Sequence, residues 1–214
     1  MTPENLVNVA KKKGLNGIAI TDHNTIKGGV EARKRNKSDD FIIIIGSEIK
    51  TEVCEIIGLF LNEEISSTEP HVVIDAIRDQ GGITVLPHPF RSFLVSHSNK
   101  QKKIPEELIE RMDIIEVFNS RTRRIDNQKA MLLSSKMKKT MIAGSDAHFY
   151  NELGKTKVII DSFDNEDNLR KNLQKGKLRI EITNNAFITV LPFIFLSGLY
   201  GRGRRSLLAN NTIK

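Results

Sequence analysis

The chain has one cysteine, Cys54, and no tryptophan among its 214 residues. A single cysteine excludes an intrachain disulfide and any paired-cysteine metal or redox motif, and it favours a reducing, cytoplasmic setting. The residues after Met1 show no signal-peptide pattern. With 39% apolar and 28% charged residues, the composition is that of a globular protein rather than a disordered one.

No apolar run reaches the length of about 20 residues that a membrane-spanning helix needs. Residues 186–200 are mostly apolar, but Pro192 interrupts them. We expect this stretch to form a core strand or a docked helix, and a membrane-surface anchor is the alternative. Residues 201–214 follow as a tail with four basic residues and no acid.

Basic residues outnumber acidic ones, which gives a formal charge of +7 and a pI of about 9.5. Such a surface attracts anions such as nucleotides, nucleic acid or an anionic membrane face. An equally good explanation is that surface lysines only keep the protein in solution. Composition alone leaves both open.

Short apolar stretches alternate with amphipathic helical patterns. The predicted strands are residues 17–21, 41–45, 53–61, 83–86, 114–118, 140–143 and 158–160. The predicted helices are residues 3–13, 70–80, 105–111, 126–139 and 166–175. This alternation predicts a parallel α/β arrangement with right-handed crossovers. Residues 94–103 show no pattern and are expected to form a loop near the functional face.

Histidines and acids stand where the predicted strands end. They are Asp22, His23, Glu48, His88, Asp146 and His148. In barrels and open α/β sheets the reactive groups collect at the carboxyl ends of parallel strands. We therefore expect these six side chains to converge in space.

Each of these residues also has a simpler explanation. His88, between two prolines, would serve as a turn histidine. Asp22 and Asp146 would cap the helices that follow them, and Glu48 would pair with a lysine. Taken singly, each explanation is as good as a functional one, but together they require six coincidences in one structural register.

Histidine and carboxylate side chains together suit divalent ions such as zinc, manganese or iron. Two ions about 3.5–4 Å apart activate a water and neutralise the charge that builds on a phosphoryl group. The other histidines, His71 and His97, do not share the register and are expected at the surface, with substrate contact as the alternative for His97. The pattern thus favours a catalytic metal site over a structural zinc site.

Four motifs resemble, in order and spacing, those of the PHP family (polymerase and histidinol phosphatase). They are Thr21-Asp22-His23-Asn24, Gly46-Ser47-Glu48, Pro87-His88-Pro89 and Gly144-Ser145-Asp146-Ala147-His148. The resemblance covers residues 3–160. Residues 116–154 look like the PHP-associated segment of stand-alone members.

The resemblance implies a distorted seven-stranded β/α barrel, similar to a TIM barrel, that binds two to three divalent metal ions. It also implies that Glu48 bridges two ions, that His88 and Asp146 each bind one of that pair, and that His23 and His148 hold a third. Glu48, His88 and Asp146 would then be the catalytic residues.

Three further residues take roles around the ions by the same resemblance. Asp22 would orient a ligand rather than bind metal. Arg91 would grip the substrate phosphate through its planar guanidinium, and Asn119 would contact the substrate.

The chain departs from the family pattern in two ways. Family members open with a strand bearing His-x-His, whereas this sequence starts at the helix that follows, so that motif and the first barrel strand are absent. Asn119 stands where many members have a histidine, and an amide is a poor ligand for zinc. Two explanations are a lost N-terminal segment and a degenerate site. We favour the first, because relaxed selection on a degenerate site would have eroded the other motifs too.

The sequence therefore predicts a metal-dependent phosphoesterase domain over residues 1–184, followed by an apolar segment and a basic tail over residues 185–214. The expected substrates are phosphomonoesters or short nucleotide and oligonucleotide phosphodiesters. The alternative is a catalytically weakened module of the same fold that binds nucleic acid or metal without turnover. A peripheral membrane protein is a third and less favoured possibility.

Overall fold

The computed structural model of the chain describes residues 1–38, 40–91, 103–176, 178–182 and 186–189. Its strands are β1 (Gly17–His23), β2 (Ile42–Lys50), β3 (Glu55–Leu59), β4 (Ile83–Leu86), β5 (Ile114–Asn119), β6 (Thr140–Gly144), β7 (Thr156–Ile160), β8 (Leu178–Ile182) and β9 (Ala186–Thr189). Its helices are α1 (Pro3–Lys12), α2 (Lys27–Arg35), α3 (Pro70–Asp79), α4 (Glu106–Glu110), α5 (Arg124–Met137) and α6 (Glu166–Gln174).

The first six strands form one sheet in chain order, from β1 to β6. β1 and β2 are parallel, and so are β4, β5 and β6. β3 runs antiparallel to both of its neighbours, so the expected all-parallel arrangement is wrong for this strand. The reason is the connection: residues 51–54 form a turn, whereas parallel neighbours need a crossover of a dozen residues or more.

The sheet owes its stability to apolar side chains on its helix-covered face. Every residue of β4 is buried, as expected for a strand in the middle of a covered sheet. Helix α3 places Val73, Ile74 and Ile77 on one face and buries all three completely. Each such side chain contributes about 1.5–3 kcal/mol on burial, which fixes the hairpin and β4 against the helix layer.

The sheet is curled into a half-barrel. In a flat six-stranded sheet the two edge strands would stand about 24 Å apart, since neighbouring strands are about 4.8 Å apart. Yet the ring of His23, at the end of edge strand β1, lies 6.2 Å from the ring of His148, four residues past the end of the other edge strand, β6. The curl therefore brings the two edges of the sheet to one place.

A closed seven-stranded barrel, which the family resemblance implies, is not confirmed. Within the part of the chain that the structure describes, the barrel-like sheet has six strands, and β1 and β6 are not paired with each other. The observed fold is mixed α/β with a half-barrel sheet.

A second sheet contains β7, β8 and β9 in antiparallel order. β7 was predicted, whereas α2 and β8 were not. β9 lies at the start of residues 186–200, for which a strand was one of the two expected forms. β9 pairs with β8 although it lies beyond the predicted boundary between residues 184 and 185; the division into two segments stays a prediction. Residues 92–102, which include His97 and most of the expected loop, and the tail after residue 189 lie outside the described residues.

The described helices include none with the length and apolar character needed to cross a membrane.

Candidate metal centre

His23 and Glu48 face each other across the first strand pair. They are partners in the parallel register of β1 and β2, so their side chains leave the sheet on the same face. Glu48 is 7% exposed, and its Oε2 lies 3.7 Å from Nδ1 of His23, whose side chain is 58% exposed. The pair thus joins a buried carboxylate to an accessible imidazole.

His88, two residues past β4, occupies the buried side of the site. Its Nε2 donates to Oε1 of Glu48 at 2.9 Å, and its backbone N–H donates to Oε2 of Glu116, also at 2.9 Å. Burial works against the charged form of His88, but its bond to Glu48 and the nearby carboxylates of Glu116, Glu48 and Glu55 together raise the pKa of the imidazole.

Glu48 shows the complementary behaviour. Burial is the largest influence and acts to raise its pKa, yet the hydrogen bond from His88 and the positive charges of His88, His23 and Arg91 hold that pKa below its usual value. Glu48 is therefore a carboxylate in a partly desolvated place where it is kept ionised by cations. This is the condition that a carboxylate ligand of a metal ion requires.

Asp146 stands on the opposite side of the site, two residues past β6. Its Oδ2 accepts from Nη1 of Arg91 at 2.7 Å and from the side-chain amide of Asn119 at 3.4 Å. The structure thus brings Arg91 and Asn119, both predicted to contact substrate, next to a predicted metal ligand.

The Asn119 side chain is deeply buried, at 1% exposure. Its amide nitrogen donates to Glu116 as well as to Asp146, and its oxygen accepts from the backbone N–H of Arg121. In this structure the side chain joins β5 to the segment after β6, and contact with substrate stays a prediction. Arg91 is partly exposed and is accessible to an anion.

Glu116, on β5, is a functional candidate that the sequence reasoning did not select. Burial raises its pKa to about 7. Its Oε2 accepts from both His88 and Asn119, while a side chain at position 144, where the chain has glycine, would collide with Oε1. A charged residue inside an otherwise apolar strand was the available signal.

His148 lies at the exposed edge of the site, with its side chain 46% exposed. Its Nδ1 donates to the backbone oxygen of Asp146 at 3.0 Å. Because a carbonyl oxygen only accepts, Nδ1 carries the proton and Nε2 is the nitrogen available to a metal ion. The backbone N–H of His148 donates to Glu152, which fixes the start of this loop.

Asp22 is the one predicted site residue that the structure does not bring to the others. Successive residues of a strand point to opposite faces, so Asp22 points away from the face of His23. A side chain at Gly28, in α2, would meet the Asp22 carboxylate, which places that carboxylate against the helix. His71, expected at the surface, is partly exposed and contacts Arg111.

Three of the five non-glycine residues with positive φ in the described part of the chain lie at this end of the sheet. Asn24, His88 and Asp146 have φ values of 54°, 24° and 49°, in the left-handed region that non-glycine residues seldom adopt. Each follows the end of β1, β4 or β6. Such conformations cost on the order of 1–3 kcal/mol each and occur preferentially at functional sites.

The donors present fit a divalent cation. His23, Glu48 and Glu55 each offer one ligand atom within 4.8 Å of the others. Carboxylate oxygens and imidazole nitrogens without thiolates suit manganese, iron or zinc. Glu55, which the sequence reasoning also missed, is the new member of this group.

A family model described as PHP-associated matches residues 124–178 of the chain. Two curated relatives from Methanocaldococcus jannaschii also match. The uncharacterized protein MJ1587 is 44% identical over 119 residues, which cover 55% of this chain and 66% of that protein. The uncharacterized protein MJ0417 is 38% identical over 142 residues, which cover 64% of this chain and 54% of that one. The chain thus spans about half to two-thirds of the length of these relatives.

Among solved structures, the fold is similar to that of a two-domain protein from Bacteroides vulgatus, described as containing a predicted PHP-like metal-dependent phosphoesterase. The TM-score is 0.70 at 18% identity, covering 85% of this chain and 60% of the other. At that identity the likeness concerns the fold.

Proposed function

Since this chain belongs to the PHP family, we propose that it is a metal-dependent phosphoesterase. In the proposed reaction a water oxygen forms a bond to phosphorus, the bond from phosphorus to the ester oxygen breaks, and the leaving alcohol takes up a proton. The single observation that carries the proposal is the convergence of Glu48 and His88 with His23, on the face of the sheet to which a cation has access.

The residues that would hold the ions are Glu48 and His88 on the buried side, His23 and His148 on the exposed side, and Asp146, which lies opposite His88 after β6. We propose two to three divalent ions, with manganese, zinc or iron as the candidates. When bound, such ions would supply charge neutralisation at the phosphoryl group and a water of lowered pKa.

The chain's own residues prepare this chemistry by holding ligands in place. The Glu116 carboxylate fixes the backbone of His88 and the amide of Asn119. Because Asn119 also bonds to Asp146, one buried group sets the relative positions of three strand ends. Such fixed ligands reduce the reorganisation needed on reaction.

Arg91 would bind the substrate phosphate. Its Nη1 donates to Asp146, the side chain is partly exposed, and a planar guanidinium matches the geometry of phosphate oxygens. We propose a phosphomonoester or a short nucleotide or oligonucleotide phosphodiester as substrate, in keeping with the basic character of the chain.

The test is hydrolysis of p-nitrophenyl phosphate and of its bis-ester by the full chain with added Mn²⁺ or Zn²⁺. We expect metal-dependent turnover that EDTA abolishes. The double variant His88→Ala/Asp146→Ala is expected to lose at least about 100-fold in rate, because changes even to residues that only support metal ligands cost 10–100-fold. His71→Ala, on α3, is the matched control and should keep the wild-type rate. Undiminished turnover by the double variant would contradict the proposal.

A further inference from the structure

β3 is the one strand of the six-stranded sheet that runs antiparallel to its neighbours. It lies between β2 and β4 in the sheet, and so between Glu48 on β2 and His88 after β4. Because β3 runs in the opposite direction, its first residue, not its last, lies at the functional end of the sheet. That residue is Glu55.

The hairpin register puts Glu55 on the same face as Glu48. Glu48 pairs with Ile57 and Lys50 pairs with Glu55 in the antiparallel ladder. Directly opposed residues, and residues two apart, share one face of a sheet. Ile49 and Ile56 occupy the other face and are fully buried in the core, which fixes this orientation.

Three neighbouring strands therefore each present one ligand in a row. His23 on β1 pairs in register with Glu48 on β2, and Glu55 follows on β3. The ligand atoms of all three lie within 4.8 Å of one another. Oε2 of Glu55 also lies 3.7 Å from Nε2 of His88, and its side chain is 20% exposed. Among the described residues this is the only ion pair of the Glu55 carboxylate. The Lys50 side chain, although opposed to Glu55 in the ladder, forms no ion pair with it.

We infer that Glu55 is a metal ligand, which with His23 and Glu48 forms a cation site across β1, β2 and β3. This inference rests on the proposed function, because it concerns the same metal centre. Two carboxylates directed at one place repel each other unless positive charge lies between them, and a bound divalent ion would add to the partial countercharge that His88, His23 and Arg91 provide at Glu48. The additional oxygen donor makes the centre better suited to Mn²⁺ than a centre of imidazoles alone.

The first experiment measures Mn²⁺ binding to the EDTA-stripped full chain by titration calorimetry and by the electron paramagnetic resonance of free Mn²⁺. We expect Glu55→Gln to weaken Mn²⁺ binding by at least about tenfold, or to remove one ion from the stoichiometry. Glu55→Asp should regain part of the loss. The matched control is Glu52→Gln, an exposed glutamate in the same hairpin turn, and should bind like the wild type. Thermal melting confirms that each variant is folded.

A second experiment separates direct coordination from support of His88. Glu55→Cys should acquire the ultraviolet absorption of a thiolate bound to Cd²⁺, whereas Glu52→Cys and the wild type, which contain Cys54, should not. Direct coordination gives this band, and a purely supporting role does not.

The outcomes distinguish the two proposals. If the wild type binds Mn²⁺ and Glu55→Gln binds it equally well, or if Glu55→Cys shows no Cd²⁺ band, the role of Glu55 is refuted while the phosphoesterase proposal stands. If the wild type binds Mn²⁺ through Glu55 but hydrolyses no phosphate ester, only the phosphoesterase proposal fails. If the wild type binds no Mn²⁺, the cation site that includes Glu55 is refuted, and the phosphoesterase proposal fails only if hydrolysis is also absent with Zn²⁺.

Discussion

The two sides of the candidate centre differ in how they are held. On the buried side, Glu48, His88 and Glu116 are each less than 9% exposed and are connected by hydrogen bonds of 2.9 Å. On the exposed side, His23 and His148 have about half of their side chains in solvent, at 58% and 46%. The first group is fixed by the fold itself, whereas the second keeps freedom that a bound ion would remove.

This difference assigns different tasks to the two sides. A buried hydrogen-bonded network is rigid and costly to disturb, so it can hold ligands ready before any ion arrives. Exposed imidazoles can change conformation and so admit an ion or a substrate from solvent. We therefore expect substitutions on the buried side to lower the free energy of unfolding much more than substitutions on the exposed side.

The largest effect is expected from His88→Ala in the metal-free protein. It removes the partner of Glu48 and leaves a buried carboxylate without its hydrogen bond, which costs about 3–5 kcal/mol for a broken buried pair. His148→Ala should change the free energy of unfolding by less than about 0.5 kcal/mol, as surface substitutions do. Urea unfolding in EDTA measures both, and equal losses would remove the distinction between the two sides.

A second prediction concerns the pH dependence of the buried side. In the folded protein Glu116 keeps its proton up to a pKa of about 7, whereas its usual value is 4.5. Between these values the native state binds more protons than the unfolded state, so this group's contribution to stability is lost as pH rises. The shift corresponds to up to about 3 kcal/mol between pH 4 and 8.

Glu116→Gln, which has nearly the same shape and cannot titrate, should remove that dependence. In EDTA, the melting temperatures of the two proteins are expected to converge or cross as pH rises, with the wild type losing more. Parallel curves from pH 4 to 8 would show that Glu116 titrates normally.

The third prediction concerns a smaller, local loss of stability on the exposed side, at Lys13. Its Nζ donates to the backbone oxygens of Tyr150, Asn151 and Leu153, and so ties the loop after His148 to the end of α1. Lys13→Met should loosen that loop by about 1 kcal/mol, seen as faster amide exchange in residues 149–154 with unchanged exchange in β4 and β5. Lys12→Met, at an exposed neighbouring lysine, is the control. Faster exchange throughout the sheet would mean that the two sides are not independent.

The sequence was sufficient to predict a site residue where an apolar strand pattern is followed by a histidine or an acid. His23, Glu48, His88, Asp146 and His148 were selected on that pattern, and the structure places all five at one end of the curled sheet. Most strands and helices were also predicted within a few residues, because each combines an apolar period with a recognisable start or stop.

The same reasoning failed where a ligand does not end a parallel strand. Glu55 begins a strand, and its importance depends on the reversed direction of β3, which only the short turn before it indicated. Glu116 lies within a strand, and its neighbours on β4 and β6 are distant in sequence. Asp22 was included because it follows the predicted strand of residues 17–21, but β1 continues to His23, and strand alternation separates the two side chains. Whether these three residues belong to the site depends on strand pairing and on which face of the sheet each side chain leaves, and composition does not give either.

The tight turn between β2 and β3 has a consequence for how such a chain can change over time. Glu48 and Glu55 are seven positions apart, and the antiparallel ladder converts that spacing into a fixed spatial relation. One residue inserted after Lys50 would either be absorbed as a bulge or shift the register, and a one-residue shift turns every side chain of β3 to the opposite face. Natural or engineered length variation at residues 51–54 should therefore be tolerated far less than substitution, so that the interval between the two carboxylates is itself an inherited property of the site.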